Sequence, residues 1–405
     1  MLEKHVLKNG MVILAEPMEV ESAAFGFCLP AGAARLPKGC CGAANIIEDW
    51  LFRGAADMDN RALGDALDSL GLNRSASVGA AHISIGAALQ AENLAAALEL
   101  YAKVITQPHL SDEQFEPAKQ LALDQLAALD DDPRQKVMLK VRERFYPAPL
   151  GSSTAGDADQ LKTLTPEKTR QLGKDYINPS ETVFALAGKY DFDAVCKQLE
   201  SLFAPQPAEK LKPIKLSGKG ADYTHIHNDG SQVHIGLMTP TVLPGHEQYY
   251  DVRVAVSVLG GGMSARLFTE VREKRGLCYA VGAKYHCLKE AAGIACYAGT
   301  VKESAQQTLD VVLEQLRRLK DGVSDEEVAR AKVGLKSALV MSSESSASRA
   351  THLAGDYYLL ERVRSLDEIK QRIEQTSRES VTRFLNDSPF EDFTVVTIGP
   401  EKVKF

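Results

Sequence analysis

The apolar positions change period along the chain in an order that occurs twice. Gly71-Leu72-Asn73-Arg74 opens a run with strand character, Ser75–Leu89. A helical period follows over Glu92–Thr106. Leu110-Ser111-Asp112-Glu113 then supplies capping chemistry, and a second helical run covers Gln114–Ala128. Gly276-Leu277-Cys278-Tyr279 restarts the series. Ala280–Thr300 reads as strand, Glu303–Lys320 as helix, Val323-Ser324-Asp325-Glu326 as a cap and Glu327–Ser343 as helix.

The Gly-Leu pairs lie 205 residues apart, Glu92 and Glu303 211, and Ser111 and Ser324 213, a drift that loop insertions produce. Ser111 and Ser324 are expected N-caps, with acidic residues in the first turn opposing the helix dipole. A period near 210 is too long for a solenoid, so the chain reads as two duplicated α+β domains, each an antiparallel-rich sheet backed by helices. The join falls in Phe203–Tyr223, where Pro205, Pro207 and Pro213 precede Ser217-Gly218-Lys219-Gly220. The expected division is 1–204, a linker at 205–222, and 223–405. Strands Thr182–Ala187 and Gln232–Met238 flank the join.

Length changes this picture little: 405 residues suit two domains of about 200. A net charge of −7 argues against a general nucleic-acid binder. No run of about 18 apolar residues occurs, so no membrane helix is expected. The stretch Met1–Gly10 has neither an apolar signal core nor an Arg/Ser-rich transit pattern, which predicts a cytoplasmic location. Seven cysteines (Cys28, Cys40, Cys41, Cys196, Cys278, Cys287 and Cys296) include no C-x-x-C pair and read as small apolar residues of a reducing compartment.

Two stretches carry chemistry. Gly42-Ala43-Ala44-Asn45-Ile46-Ile47-Glu48-Asp49-Trp50-Leu51-Phe52-Arg53-Gly54-Ala55 resembles the signature helix of the inverted zinc metallopeptidases of the pitrilysin/insulinase family, which includes mitochondrial processing peptidase. Gly42, Ala44, Glu48, Phe52 and Gly54 fall in step. In that pattern two His ligands one turn apart share a helix face and reach one Zn²⁺, with a Glu between them as general base. Asn45 and Asp49 stand at the His positions. A third ligand is expected some 70–80 residues on, where Leu121–Leu126 is similar to the family's acidic stretch. Register from Pro133 puts Gln125 there, with Asp124 one residue off. The second stretch, Leu259-Gly260-Gly261-Gly262-Met263-Ser264-Ala265-Arg266-Leu267-Phe268 running into Glu270–Tyr279, is similar to the family's C-terminal-domain signature.

The resemblance implies a clamshell half of the processing-peptidase kind, with a degenerate zinc site at Asn45, Glu48, Asp49 and Gln125. It implies that Arg272 and Tyr279 reach a zinc site and stabilise the oxyanion of an attacked peptide carbonyl. The expectation is a non-catalytic subunit that binds no zinc itself, pairs with a homologous zinc-bearing subunit, and forms half a chamber for unfolded peptides. A homodimer is possible when it is alone. Substrate is expected to add as a strand to an edge segment, Ser75–Ile85, at Ser75, Ala76, Ser77 and Val78. A second reading is a peptide-binding or scaffold protein without a role in proteolysis. A third rebuilds a metal site from Glu48, Asp49 and Asp124, whose oxygens suit Ca²⁺ or Mg²⁺ better than Zn²⁺. His225 and His227, with His234 nearby, make a weak metal candidate. Trp50 reads as core packing.

Overall fold

A computed structural model of the chain describes residues 2–203, 211–218 and 222–405. Pro205, Pro207, Lys219 and Gly220 of the expected linker lie outside the described residues. The chain divides into two compact units. One comprises Met1–Ala128, Ser152–Leu216 and Ser342–Tyr358; the other comprises Leu129–Gly151, Ser217–Met341 and Leu359–Phe405.

The first unit is built on β1 (Glu3–Val6), β2 (Val12–Pro17), β3 (Ser22–Leu29), β4 (Asn73–Val78), β5 (Ile83–Gln90) and β6 (Val183–Gly188), in the order β1-β2-β6-β3-β5-β4. Only β2 and β6 pair in parallel. The segment expected as one strand over Ser75–Leu89 is a hairpin. It turns at Gly79, whose N–H donates to His82 O at 2.8 Å. Apolar alternation alone hides the turn because Val78 and Ile83, on either side of it, both pack against one core. The candidate edge segment Ser75–Ile85 is corrected in the same way. The edge strand ends at Val78, and Ile83 and Ile85 belong to an interior strand.

Strand β3 shows why the sheet has two unlike faces. Phe25, Phe27 and Leu29 alternate with Ala24, Gly26 and Cys28. The bulky face packs into a core with α1 (Ala43–Leu51), α2 (Leu94–Thr106) and α3 (Asp112–Ala127). Phe25 meets Tyr101 edge-on at 4.9 Å, and the Tyr101 hydroxyl donates to Gly86 O at 2.9 Å. That bond satisfies a phenol that burial would otherwise penalise.

The second unit contains α4 (Pro133–Phe145), β7 (Tyr223–His227), β8 (Gln232–Thr241), α5 (Tyr249–Gly260), β9 (Cys278–Cys287), β10 (Ala292–Val301), α6 (Ala305–Arg317), α7 (Asp325–Ser343) and β11 (Thr394–Gly399). Its sheet runs β9-β10-β8-β11-β7, with β11 and β7 parallel. The run expected as one strand, Ala280–Thr300, is the β9/β10 hairpin. Read from its far end, the first sheet is β4-β5-β3-β6-β2, the same topology strand for strand, with β1 added.

The duplication extends to the helices, but two of them change places. Helix α4 follows α3 and lies in the second unit; α8 (Ser346–Leu360) follows α7 and lies mostly in the first. They begin 213 residues apart, the offset of Ser111 and Ser324. Within the first unit Arg349 of α8 is buried and ion-paired with Glu16. The two cap serines differ. Ser324 and Glu327 form a reciprocal box, with Glu327 N–H on Ser324 Oγ at 3.2 Å and Ser324 N–H on Glu327 Oε2 at 2.8 Å. Ser111 precedes α3 but makes no side-chain cap bond; Gln114 N–H bonds its backbone O instead, at 3.1 Å.

Candidate functional site

Helix α1 turns sharply out of Gly42, which has φ +101° and whose Cα faces Leu161. A Cβ there would lie 2.6 Å from Leu161 Cδ2, so only glycine fits. Ala43, Ala44, Ile46, Ile47, Trp50 and Leu51 bury the apolar side, leaving Asn45, Glu48 and Asp49 half-buried on the rest of the helix. Trp50 is core, as read. It is fully buried against Phe115 at 5.0 Å, and its Nε1 donates to Ser111 O at 3.1 Å.

The three polar residues do different things. Asn45 Nδ2 donates to Thr154 O at 3.1 Å, while its buried Oδ1 has no hydrogen-bond partner among the described residues. Asp49 is ion-paired with Arg53 one turn on. Burial, with the Asp49 carboxylate adding to it, pushes Glu48 up to about 7. On α3, Gln125 continues the stripe of Phe115, Ala118 and Ala122, whereas Asp124 lies away from it and accepts from Gln120 Nε2 at 2.8 Å. Both are exposed.

This donor set does not fit Zn²⁺. The amide oxygens of Asn45 and Gln125 are neutral, the Asp49 carboxylate is engaged by the Arg53 guanidinium, and burial holds the Glu48 proton up to about pH 7. A tight zinc site needs three nitrogen, sulfur or carboxylate ligands. Among the described residues no three His, Cys, Asp or Glu side chains are grouped to hold a metal ion. The histidine candidates disperse likewise. His225 Nδ1 bonds Thr397 Oγ1 at 2.9 Å, His227 pairs with Asp229, and His234 Nδ1 bonds the Tyr297 hydroxyl at 2.9 Å.

Arg272 and Tyr279 sit on two irregular pieces of backbone that sequence patterning missed. Phe268–Glu273 is a π-helical turn, and Arg272 lies exposed on it with its guanidinium 4.7 Å from the Phe268 ring centre. Gly276, at φ +62°, reverses the chain. Gly276 N–H bonds Arg272 O at 3.0 Å and Leu277 N–H bonds Val271 O at 3.0 Å. Strand β9 then slips register between Cys278 and Ala280, which leaves Tyr279 as a bulge residue on an edge strand. A bulge re-aims its side chain out of the ladder. Tyr279 is 72% exposed, and no hydrogen bond to its hydroxyl occurs among the described residues. Arg266 of the same signature has a structural role. It grips Glu327 through Nε and Nη2 at 2.7 and 2.8 Å and Gly322 O at 2.9 Å, tying the glycine-rich loop to α7.

Ser75, Ala76, Ser77 and Val78 lie on β4 at the edge of the first sheet. All but Val78 are exposed, and Val78 is partly buried. Asn73, Ser75 and Ser77 face away from the core helices, on the side of α8.

Comparison with known proteins agrees with this architecture. Residues 11–158 match the model of the insulinase family, peptidase family M16, and residues 163–335 match the peptidase M16 inactive domain. A Bacillus subtilis protein described as the uncharacterized zinc protease YmxG is 25% identical over 99% of this chain and 98% of its own length. A Rickettsia bellii protein, also described as an uncharacterized zinc protease, is 25% identical over 98% of this chain and 97% of its own. Among solved structures, the peptidase M16 inactive domain from Pseudomonas fluorescens superposes with a TM-score of 0.90 at 20% identity, covering 100% of this chain and 99% of that one. A chain of complex III2 from Candida albicans gives 0.85 at 19%, covering 99% and 96%. With matches to both domain models and a two-fold repeat of the same sheet topology, the chain belongs to the M16 peptidase family.

Proposed function

We propose that this chain is a zinc-less M16 subunit that works with a homologous zinc-bearing one. Arg272 and Tyr279 carry the reading. Both side chains stand exposed on a π-turn and a bulge, and neither is needed to hold its own unit together. An arginine and a phenol so presented suit a peptide carbonyl whose oxygen gains charge as it is attacked in a partner's site. In this reading residues 1–204 contribute chamber wall and the edge strand at Ser75–Val78, 205–222 join the halves, and 223–405 supply the Arg/Tyr pair. Zinc resides on the partner. The names of the curated relatives point toward zinc proteolysis. The unsuited donors at Asn45, Glu48, Asp49 and Gln125 point away from this chain as the metal holder. Substrates are unfolded peptides, the working compartment is the cytoplasm, and a homodimer is the fallback assembly.

The test uses the full chain, alone and mixed with an intact H-x-x-E-H homologue from the same genome. The chain alone shows no zinc and no chelator-sensitive cleavage of an unfolded peptide. The mixture cleaves, and Tyr279→Phe or Arg272→Ala lowers its kcat/KM by roughly 10²–10³ without loss of assembly. Stoichiometric zinc with cleavage by the chain alone would overturn the reading. A scaffold role is the alternative, favoured by the likeness to a complex III2 chain. In that case the mixture gains no activity from this subunit.

A further inference from the structure

Within the first unit, the small-residue face of the sheet and helix α8 enclose a cleft of about 520 Å³. Ala24, Gly26, Cys28, Gly86 and Ala88 form its floor; Ala347, Ala350, Ala354 and Gly355 form its roof. Its volume falls within the roughly 300–1,000 Å³ of ordinary ligand sites. The lining includes no Asp, Glu, Lys or Arg. At one side it is bounded by Asn73, Ser75 and Ser77 of β4, whose outer edge pairs with no strand among the described residues.

The duplicated unit shows that the fold does not require this space. There α4 covers the same face of the second sheet, and the glycine equivalent to Gly26 is Gly236. A Cβ on Gly236 would meet Val137 O at 3.1 Å, Val137 Cγ2 at 3.2 Å and Val141 Cγ1 at 3.3 Å, whereas at Gly26 the nearest atom is 3.9 Å away. The 213-residue offset that pairs Pro133 with Ser346 also pairs Val137 with Ala350, Val141 with Ala354 and Phe145 with Tyr358. In that register both valines of α4 stand opposite alanines of α8 that line the cleft.

We infer that the cleft is a side-chain subsite for a peptide added to β4, selecting uncharged aliphatic residues at alternate positions. The inference rests on the strand-addition reading of Ser75–Val78 and deepens it. Side chains of a strand alternate between faces, so every second residue of an added strand stands beside Ser75 and Ser77 at the open side of the cleft. Backbone pairing supplies the common affinity, and the neutral cavity supplies the choice. A charged side chain would lose its hydration there without a counter-charge.

The experiment uses the full chain alone and a short fluorescein-labelled peptide in which Leu and Thr alternate, read by fluorescence anisotropy. One control peptide has the same composition with the leucines in a block, and another has Lys for Leu. The alternating-Leu peptide binds at least about tenfold more tightly than either control. The double variant Ala350→Val/Ala354→Val, which copies the other unit's packing, removes that preference while circular dichroism and Tm stay as in the parent. Gly355→Leu fills the roof by a second route, into space where a Cβ meets nothing within 4 Å. Equal binding of the three peptides, no binding of any, or a preference that survives both fillings overturns the inference. Because no partner or cleavage enters the measurement, failure here leaves the paired-subunit reading standing, and failure of the cleavage test leaves this result standing.

Discussion

The two copies of the Gly-Leu turn show how one backbone has been put to two uses. Gly71 and Gly276 have nearly the same φ, +64° and +62°, and each leads into an edge strand. Four residues before Gly276 stands Arg272, exposed on a π-turn; four before Gly71 stands Leu67, in the core. Three after Gly276 comes Tyr279, free on a bulge. Three after Gly71 comes Arg74, in regular pairing with Ala87 and 3.3 Å from Asp68. The first copy spends the turn on packing and the second on presentation. The difference lies in side chains and one slipped residue, not in topology.

Exchanging residues across the copies tests this most severely. Leu67→Arg would bury an unpaired charge and is expected to lower stability by about 4 kcal/mol or more, whereas Arg272→Leu should stay within about 0.5 kcal/mol. Denaturant unfolding of the two variants decides it; equal losses would mean that Arg272 is structural after all.

A smaller effect separates the copies by pH. Glu48 in the first holds its proton up to about 7, well above the ordinary 4.5. The unfolded carboxyl ionises first, so stability is full below about pH 4.5, falls as pH rises toward 7, and then levels off. His286 in the second leans the other way. Burial, with the Arg142 charge adding to it, holds its pKa down at about 4, and its Nδ1 lies 2.6 Å from the Tyr146 hydroxyl. That neutral ring contributes stability above about 6.5, which is lost as pH falls toward 4. Glu48→Gln should therefore gain about 1–3 kcal/mol at pH 8 and almost nothing at pH 4. Tm followed across that range checks it, and a gain that does not vary with pH would exclude a carboxyl held out of its ionised form.

The smallest contrast is at the caps. Ser324→Ala should cost about 1 kcal/mol and Ser111→Ala only a few tenths, since only Ser324 caps with its side chain. Parallel thermal melts would show equal losses if the repeat were symmetric here.

Much of this was readable from the chain because local rules govern it. The repeated Gly-Leu turn, the helices after each hairpin and the burial of Trp50 follow from backbone preference and period. Where partners across space decide, the sequence was mute. Both hairpins read as continuous strand runs because apolar residues flank each short turn, Val78 and Ile83 about Gly79, and Leu288 and Ala292 about Lys289-Glu290. The bulge at Tyr279 depends on where Thr300 and Gly299 pair. The sheet that α4 or α8 covers depends on a face that amphipathic pattern cannot assign. One signal was available: in register, Val137, Val141 and Phe145 against Ala350, Ala354 and Tyr358 announces that one helix packs tightly and its counterpart does not.

The traded helices carry a consequence for how such a chain could arise. A lone copy, folded by itself, would leave one sheet face bare and one helix without a seat, a state prone to association. Two identical molecules could cure this by lending each other that helix, as domain-swapped dimers do. Fusing them end to end turns a loan between molecules into one within a chain, where the effective concentration no longer depends on how much protein the cell makes. From then on neither half can be discarded, and each is free to lose what the other keeps.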